Sequence, residues 1–409
     1  MPSGVLAAAT AADLGSLVLV LGAASVGAIV SRLHRRVVLP TVVVEIVLGI
    51  LIGPHVLDVA QVDRYLAFLA NFGLVFLFFV AGLEVIEQRV PAPSLVRGAA
   101  GWACSVALGL LAGVALHAAL DAEWWLLGIA LSTTSLGTLV PILADAGLLS
   151  TRFGSAVLGT GVSGEFWPIV VISVFLTGAY GAVTETVLLL AFGLLVALAA
   201  AVALRARPPR ILRVLQETLQ TTGQAAVRLS LLLLGALVLL ANDVGFDFVL
   251  GAFAAGLVVG LALDSPEGGP VRMRLEGIGF GFLIPIYFVV TGMTFDVESL
   301  LTASGLGLAA LFLALLLVVR GASALLWLRA FGARRSLALA LFAATGLPLI
   351  VAIVGIGTDR GAISADVGAS LIGAGMISVL AFPLLGTRLA GRGTGTAPEH
   401  VPAGAVAEY

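Results

Sequence analysis

The amino-acid sequence predicts an all-α polytopic membrane protein with about 13 transmembrane helices, arranged as two inverted six-helix repeats with two broken, crossing helices. Of its 409 residues, 60% are hydrophobic and 11% are charged, and the mean hydropathy is +1.16. A soluble protein of this length has no interior large enough for so much apolar surface, so the chain belongs in a lipid bilayer. A net charge of −2 argues against nucleic-acid partners, and the single Cys104 excludes a disulfide framework.

Apolar runs long enough to cross a membrane follow one another along the chain. They form a predicted transmembrane domain over 1–392, and the cores of its two repeats lie at about 37–178 and 246–388. Apolar residues at helical spacing predict a cytoplasmic interfacial linker helix at 205–228, and the short Gly-, Pro- and Ala-rich end predicts a disordered tail at 393–409. The predicted segments lie near 14–31, 37–53, 65–86, 97–119, 123–145, 153–178, 184–204, 227–242, 246–263, 276–294, 300–328, 336–357 and 366–388.

The arginines indicate how the segments are oriented. All 21 basic residues are arginine. If successive segments cross in alternate directions, every arginine except Arg64 and Arg360 falls on one side, and the opposite side carries acids such as Asp121 and Asp247. By the positive-inside rule the arginine-rich side is cytoplasmic. We therefore expect the N-terminus outside and the C-terminus in the cytoplasm.

Glu165 is an acid in the middle of the sixth predicted segment. The stretch Gly154–Gly178 has no other charged residue and is long enough to cross a bilayer. A carboxylate at that depth costs roughly 2.5–3.5 kcal/mol on insertion scales, so it is seldom there without a function. Glu165 could instead make a helix-packing hydrogen bond or remain protonated and silent. The polar and helix-breaking residues near it favour an ion or proton site.

Two segments contain helix-breaking residues at matching positions. In the fifth, a cluster of hydroxyl-bearing residues and a glycine precedes a proline, and in the twelfth a threonine and a glycine do so. Proline removes a backbone donor and glycine relaxes the helix, so each segment can unwind, although a simple proline kink is the alternative for either one alone. They are seven segments apart, and this odd offset gives them opposite directions across the membrane, as in inverted repeats that form a midplane binding site. The predicted break residues are Ser132, Gly137, Pro141, Thr345, Gly346 and Pro348.

Five stretches carry further sequence patterns in a fixed order. They are LPTVVVEIVLGILIGP at 39–54, FGLVFLFFVAGLE at 72–84, LSTTSLGTLV at 131–140, LGAFAAGLVVG at 250–260 and LIPIYFVVTGMTFD at 283–296. In this order and spacing they resemble the second branch of the monovalent cation:proton antiporters, the group of bacterial sodium/proton exchangers and potassium-efflux antiporters. The resemblance extends from the first segment to the thirteenth. It implies a homodimeric antiporter of the bacterial inner membrane that exchanges a monovalent cation for a proton and needs no cofactor.

The ion-binding helix departs from the family pattern. Gly164 and Glu165 stand where the family places an Asp, Asn or Gln beside an Asp. Glu165 keeps the carboxylate but extends it by one methylene, roughly 1–1.5 Å, which affects ion selectivity more than carboxylate chemistry. Charge-moving members pair the first acid with a Lys, whereas this chain has Tyr287, Val290 and Thr291 on the corresponding helix and no Lys anywhere. The resemblance therefore implies electroneutral exchange.

These residues suggest a mechanism in which a proton and a monovalent cation, sodium or potassium, compete for Glu165. Because both neutralise the same acid, one cation should exchange for one proton as the site opens alternately to each side. Oxygen ligands for a dehydrated cation would come from the unwound helix and its neighbour. The predicted ligands besides Glu165 are Thr133, Thr134 and Ser163.

The remaining intramembrane charges have structural interpretations. Glu45 matches a family acid, and we expect it to pair with an arginine. Arg320, in the eleventh segment, is a candidate partner for Glu45 or for Glu84. The histidines have no metal-ligand spacing, and no nucleophile–base arrangement indicates an enzyme.

Two other functions remain open from the sequence. The chain could exchange another small solute on the same scaffold, or it could be a non-transporting membrane sensor or a divergent paralogue. The departures at Gly164 and Leu347 are compatible with a paralogue that has lost transport. Only the antiporter interpretation predicts that sodium, potassium or lithium dissipates a pH gradient in everted vesicles.

Overall fold

The chain folds into helices throughout the part that the structure describes. The computed structural model describes residues 11–33, 40–88, 90–175, 224–264 and 268–391, and single residues at 193, 194, 196, 198 and 201. In the first half the helices are α1 Ala11–Leu33, α2 Thr41–Ile52, α3 Arg64–Glu87, α4 Ala92–His117, α5 Trp124–Leu131, α6 Leu136–Asp145 and α7 Arg152–Phe175. In the second half they are α8 Ala225–Val244, α9 Phe248–Ala262, α10 Gly269–Ile278, α11 Ile284–Met293, α12 Val297–Leu301, α13 Ala303–Gly321, α14 Leu328–Ala343, α15 Pro348–Asp359 and α16 Ala365–Ala390.

The all-α membrane fold is confirmed. Each predicted segment that falls on described residues coincides with one helix or with consecutive helices. Within those residues, nine helical stretches are long and apolar enough to cross a membrane, and α2 and α9 are shorter apolar helices. Segment 184–204 lies almost wholly outside the described residues, as does the tail at 393–409. The predicted linker helix at 205–228 also lies outside them, except for its last residues, which begin α8.

The helices pack as two bundles. The first bundle consists of α1–α3 and α8–α11, in which α3 packs on α9, α2 on α11 and α8 on α9. The second bundle consists of α4–α7 and α12–α16, in which α4 packs on α7 and α13 and α14 pack on α16. Helix α7 of the second bundle also contacts α3 and α9 of the first. The interface between the bundles therefore runs along α7.

Matching contacts occur in both halves of the chain. Gly49 of α2 faces Gly292 of α11, and Gly256 of α9 faces Gly82 of α3. A Cβ on any of these four glycines would overlap the backbone of the opposite helix, so each crossing requires glycine on both sides. Helix α2 is the second helix of the first half, and α9 is the second helix of the second half. Helix α3 follows α2 as the continuous stretch formed by α10 and α11 follows α9. These are the contacts that two structural repeats produce.

Local carboxylates begin several of the helices. Asp63 precedes α3 and accepts a hydrogen bond from the Leu66 N–H at 2.7 Å. Asp247 caps α9 through the Val249 N–H at 3.1 Å, and its other oxygen binds the Arg360 guanidinium at 2.9 Å. Such caps satisfy backbone donors that the first helical turn leaves without partners. Because Arg360 follows α15, this ion pair also joins the two bundles.

Candidate functional site

Two interruptions meet inside the second bundle. Residues 132–135 separate α5 from α6, and residues 344–347 separate α14 from α15; neither stretch is helical. The Ser135 N–H donates a hydrogen bond to the Thr345 carbonyl oxygen at 2.8 Å. The predicted broken helices are therefore present, and they cross at their breaks.

Hydroxyl groups stabilise the first break more than proline does. The Ser132 and Thr133 hydroxyls donate to the carbonyls of Ile129 and Ala130, each at 2.8 Å, and so satisfy acceptors at the end of α5. Pro141, which the sequence predicted as a break residue, lies inside α6, downstream of the interruption.

The second break agrees more closely with its predicted residues. Thr345 and Gly346 lie within it. Pro348 is the first residue of α15, a position whose N–H has no partner within the helix, so the missing donor of proline costs nothing there. Gly137, predicted as a break residue of the other interruption, belongs instead to the first turn of α6.

Glu165 lies at the first break, as the sequence predicted. Its Oε2 accepts a hydrogen bond from the Leu136 N–H at 3.0 Å, and Leu136 is the first residue of α6. The N-terminus of a helix carries partial positive charge and free N–H groups, so it favours an anion. Among the described residues, no basic side chain forms an ion pair with Glu165. The carboxylate is therefore held by a backbone dipole and is not neutralised by a permanent cation.

Thr134 connects the two breaks. Its N–H donates to the Gly164 carbonyl oxygen at 2.9 Å, next to Glu165. Its Oγ1 donates to the carbonyl of Ala343, the last residue of α14, at 2.5 Å. The same Oγ1 accepts a hydrogen bond from Arg320 Nε at 2.8 Å. Since Thr134 Oγ1 already has these two partners, a cation at Glu165 would compete with them for this oxygen.

Arg320 is fully buried beside the first break. Besides Thr134, its guanidinium donates to Ser105 Oγ at 3.2 Å and to the Thr160 carbonyl at 3.1 Å, which ties α13 to α4 and α7. A Cβ at Gly164 would overlap Arg320 Nη2 and would lie 2.6 Å from Thr134 Oγ1. The guanidinium thus fills the space that a side chain at position 164 would need.

The predicted ion pair between Glu45 and Arg320 does not form. Glu45 lies on α2 in the first bundle, where its Cγ is 3.2 Å from the position of a Cβ on Gly27 of α1. Arg320 lies in the second bundle, and within the described part of the chain it has only neutral hydrogen-bond partners. Hydropathy locates both charges at membrane depth but does not reveal that they belong to different bundles.

The other two predicted ligands have separate positions. Thr133 lies in the first break, and its Oγ1 is 3.2 Å from where a Cβ on Gly346 of the second break would stand, so this oxygen faces the crossing. The Ser163 hydroxyl donates to the Gly159 carbonyl at 2.8 Å and lies beside Gly98 of α4. Residues two positions apart on an α-helix point to different faces. The Ser163 side chain therefore faces α4, whereas the Glu165 side chain faces α6.

Glu84 joins the site, which sequence reasoning did not predict. Its carboxylate oxygens lie 3.3 and 3.4 Å from where a Cβ on Gly137 would stand, next to the Leu136 N–H that binds Glu165. Both carboxylates therefore lie at the first turn of α6. The signal was an acid in the apolar run of α3, and its place near the end of that helix is compatible with snorkelling to the interface or with a role in an ion funnel.

Two discontinuous helices that cross beside an intramembrane carboxylate are typical of a secondary transporter. The chain belongs to the family described as "Sodium/hydrogen exchanger, transmembrane", whose model matches residues 20–389. The predicted family is thereby confirmed, and with it the expectation of a transporter rather than an enzyme.

Individual relatives agree with the family. The chain is 28% identical to the putative Na⁺/H⁺ antiporter YjbQ of Bacillus subtilis over 91% of its own length and 62% of that protein. It is 26% identical to the probable Na⁺/H⁺ antiporter 3 of Methanocaldococcus jannaschii, over 74% of its length and 78% of that protein. The structure of the sodium proton antiporter MjNhaP1 from M. jannaschii at pH 8 matches 92% of the chain with a TM-score of 0.61 at 17% identity, which shows a shared fold.

Proposed function

We propose that the chain is a secondary-active antiporter that exchanges a monovalent cation, sodium or potassium, for a proton. The observation that carries the proposal is the Glu165 carboxylate at the start of α6, held by the Leu136 N–H at 3.0 Å and without a basic partner among the described residues. A carboxylate in this position can take up a proton or a cation from water. Relatives named as Na⁺/H⁺ antiporters support the same pair of substrates.

Competition for one acid gives the exchange its coupling. A proton and a cation each neutralise the Glu165 carboxylate, so binding of one lowers the affinity for the other. The ionised, empty site is disfavoured in a low-dielectric interior, which hinders movement of the core without a substrate. One cation then exchanges for one proton, and the site has the same net charge whether it holds the cation or the proton. Exchange is therefore electroneutral.

Movement between the two bundles provides alternating access. Glu165, both breaks and Arg320 belong to the second bundle, so they can move together past the first. The hydrogen bonds of Arg320 and Thr134 hold the two breaks together, so the crossing keeps its geometry during that movement. In the cell membrane, we propose that the arginine-rich side faces the cytoplasm and that the protein is a homodimer, as the family resemblance implies.

Exchange by purified protein in proteoliposomes tests the proposal. Wild-type protein should release protons from loaded vesicles when sodium or potassium is added, and Glu165→Gln should abolish this flux. The matched control is Glu123→Gln, which makes the same change at an exposed residue just before α5. Cation-dependent proton flux by Glu165→Gln at the wild-type rate would refute the role of Glu165. Absence of such flux from the wild type, with other solutes active, would favour a different exchanger.

A further inference from the structure

An ion pair crosses the interface between the two bundles on the side opposite the arginine-rich one, which we call the acid-rich side. Asp247 precedes α9 of the first bundle and Arg360 follows α15 of the second, and Arg360 Nη2 lies 2.9 Å from Asp247 Oδ2. Only 4% of the Asp247 side chain is exposed, so this end of the pair is largely shielded from water. The ion pair between Arg272 and Glu87, by contrast, lies within the first bundle.

The position of Arg360 is unusual for an arginine of this chain. In the predicted topology, every arginine except Arg64 and Arg360 falls on the arginine-rich side. The positive-inside rule disfavours basic residues in the short loops of the other side, so an arginine there calls for a specific partner. Asp247 is that partner, because its carboxylate neutralises the guanidinium at the end of α15.

Both members of the pair are anchored to their own bundle. Asp247 caps α9 through its other carboxylate oxygen, so its backbone and side chain are fixed to the first bundle. The loop that carries Arg360 is tied to the loop before α5 by two backbone hydrogen bonds within the second bundle. They run from the Glu123 N–H to the Ala362 carbonyl at 2.8 Å and from the Ser364 N–H to the Asp121 carbonyl at 2.9 Å. A movement of one bundle past the other therefore separates the two charges.

A cavity of about 390 Å³ lies beside this ion pair. Its walls come from both bundles, with Leu74 of α3 and Tyr287 of α11 on one side and Ile356 of α15 on the other. The residue that follows Asp247 in the chain and the residue that precedes Arg360 also line it. The ion pair thus stands at the edge of a cavity that opens between the bundles on the acid-rich side.

We propose that Asp247 and Arg360 form a latch that keeps this cavity closed, and that the cavity is the entrance to the exchange site from the acid-rich side. The inference rests on the proposed antiport function. In the conformation described, the two charges hold the ends of α9 and α15 together. When the second bundle moves, the pair separates, and the cavity widens to admit water and a cation towards Glu165. Water then hydrates both charges and offsets most of the lost attraction, so the latch biases the movement without preventing it.

The labelling rate of a cysteine in the cavity tests the latch. The reporter is Leu74→Cys in a Cys104→Ser background, treated with a charged maleimide in nanodiscs, where the reagent reaches both faces. Arg360→Gln removes the guanidinium, and Asp247→Asn removes the charge but keeps an oxygen that can cap α9. Each should raise the labelling rate about fivefold, the upper range for a partly exposed ion pair. The double variant should label no faster than either single variant, because both remove the same interaction.

Matched controls separate the ion pair from other effects. Arg360→Lys keeps the positive charge and should label at nearly the rate of the unmodified latch. Arg64→Gln removes the other arginine of the acid-rich side and should leave the rate unchanged. Ile356→Cys, on the opposite wall, provides a second reporter if Leu74→Cys folds poorly.

Three results would overturn the latch: unchanged labelling in both single variants, effects that add in the double variant, or an equal rise in Arg64→Gln. None of these measurements requires transport. A wild type without cation:proton exchange in proteoliposomes would refute the proposed function, whereas wild-type exchange together with unchanged labelling would refute the latch alone.

Discussion

The two broken helices share a backbone plan but differ in chemistry. Glu165 on α7 and Ser378 on α16 each lie 13 residues after the start of their helix (165 − 152 and 378 − 365) and each bonds to a break. Glu165 accepts the N–H of the first residue of α6, whereas the first residue of α15 is Pro348, which has no N–H. Ser378 bonds instead to the Gly346 N–H at 3.3 Å.

Under the proposed function, this difference gives the two breaks separate tasks. A carboxylate can gain and lose a proton, and a serine hydroxyl cannot. In the proposed exchange the first break therefore provides the exchangeable charge. The carbonyl groups of Ala343, at the end of α14, and of Thr345, in the second break, accept hydrogen bonds from Thr134, Ser135 and Arg320 and so hold the first break in place.

The largest expected effect comes from making the first break resemble the second. Glu165→Ser replaces the carboxylate with the hydroxyl found at the matching place on α16. Cation-dependent proton flux should fall at least about 100-fold, because the carboxylate that accepts the Leu136 N–H is gone. Ser378→Ala, assayed in the same proteoliposomes, should keep most of the flux. Similar losses in the two variants would show that the breaks are functionally equivalent.

The next effect concerns the space beside Arg320. Gly164→Ala should destabilise the protein by about 1–3 kcal/mol, because the new methyl group overlaps a fully buried guanidinium. Gly307→Ala is the matched control: it lies on α13 with Arg320, and its Cβ would meet no atom within 4 Å. Thermal unfolding in detergent measures both. A Gly164→Ala variant as stable as Gly307→Ala would mean that Arg320 does not occupy this space.

A smaller effect distinguishes the threonines of the two breaks. Thr134→Val removes a hydroxyl that bonds both to Ala343 and to Arg320, so it should cost about 1–2 kcal/mol. Thr345→Val removes only a local bond to the Leu341 carbonyl, near the end of α14, and should cost less than about 1 kcal/mol. Both variants keep the side-chain volume. Equal unfolding temperatures would contradict the view that Thr134 links the breaks.

Sequence alone predicted the elements of this fold better than their contacts. Apolar runs and the polar clusters within them depend on local residue order, so the helices, both breaks and Glu165 could be identified in advance. Which side chains meet depends on helix rotation and on which bundle a helix joins. For that reason the sequence offered Glu45 and Glu84 as candidate partners of Arg320, which bonds to neither among the described residues, and it did not place Glu84 at the site.

The role of Gly164 shows the same limit. In the sequence it is a departure from a family pattern that places a polar residue beside the acid, which suggests a lost ligand. In the structure it is the neighbour of a buried arginine that leaves no room for a side chain. Gly164 and the Arg320 side chain that fills the space beside it are far apart in the chain, so only the folded structure brings them together.

The smallest expected effect concerns Asp296. Like Glu165, it accepts a hydrogen bond from a backbone N–H in the first turn of a helix, but its donor lies only three residues away in the chain. Asp296 caps α12 through the Ser299 hydroxyl at 2.6 Å and the Ser299 N–H at 2.9 Å, and these hydrogen bonds lower its pKa below the ordinary value. Asp296→Ala should cost about 1 kcal/mol at pH 7 without changing exchange. Because the folded-state pKa is the lower one, the contribution is complete above the unfolded-state pKa and disappears as the pH falls through the folded-state value. The stability difference between wild type and variant, measured from pH 7 down to pH 3, should therefore shrink at the acid end; a difference independent of pH would mean that the charge of Asp296 is not what caps the helix.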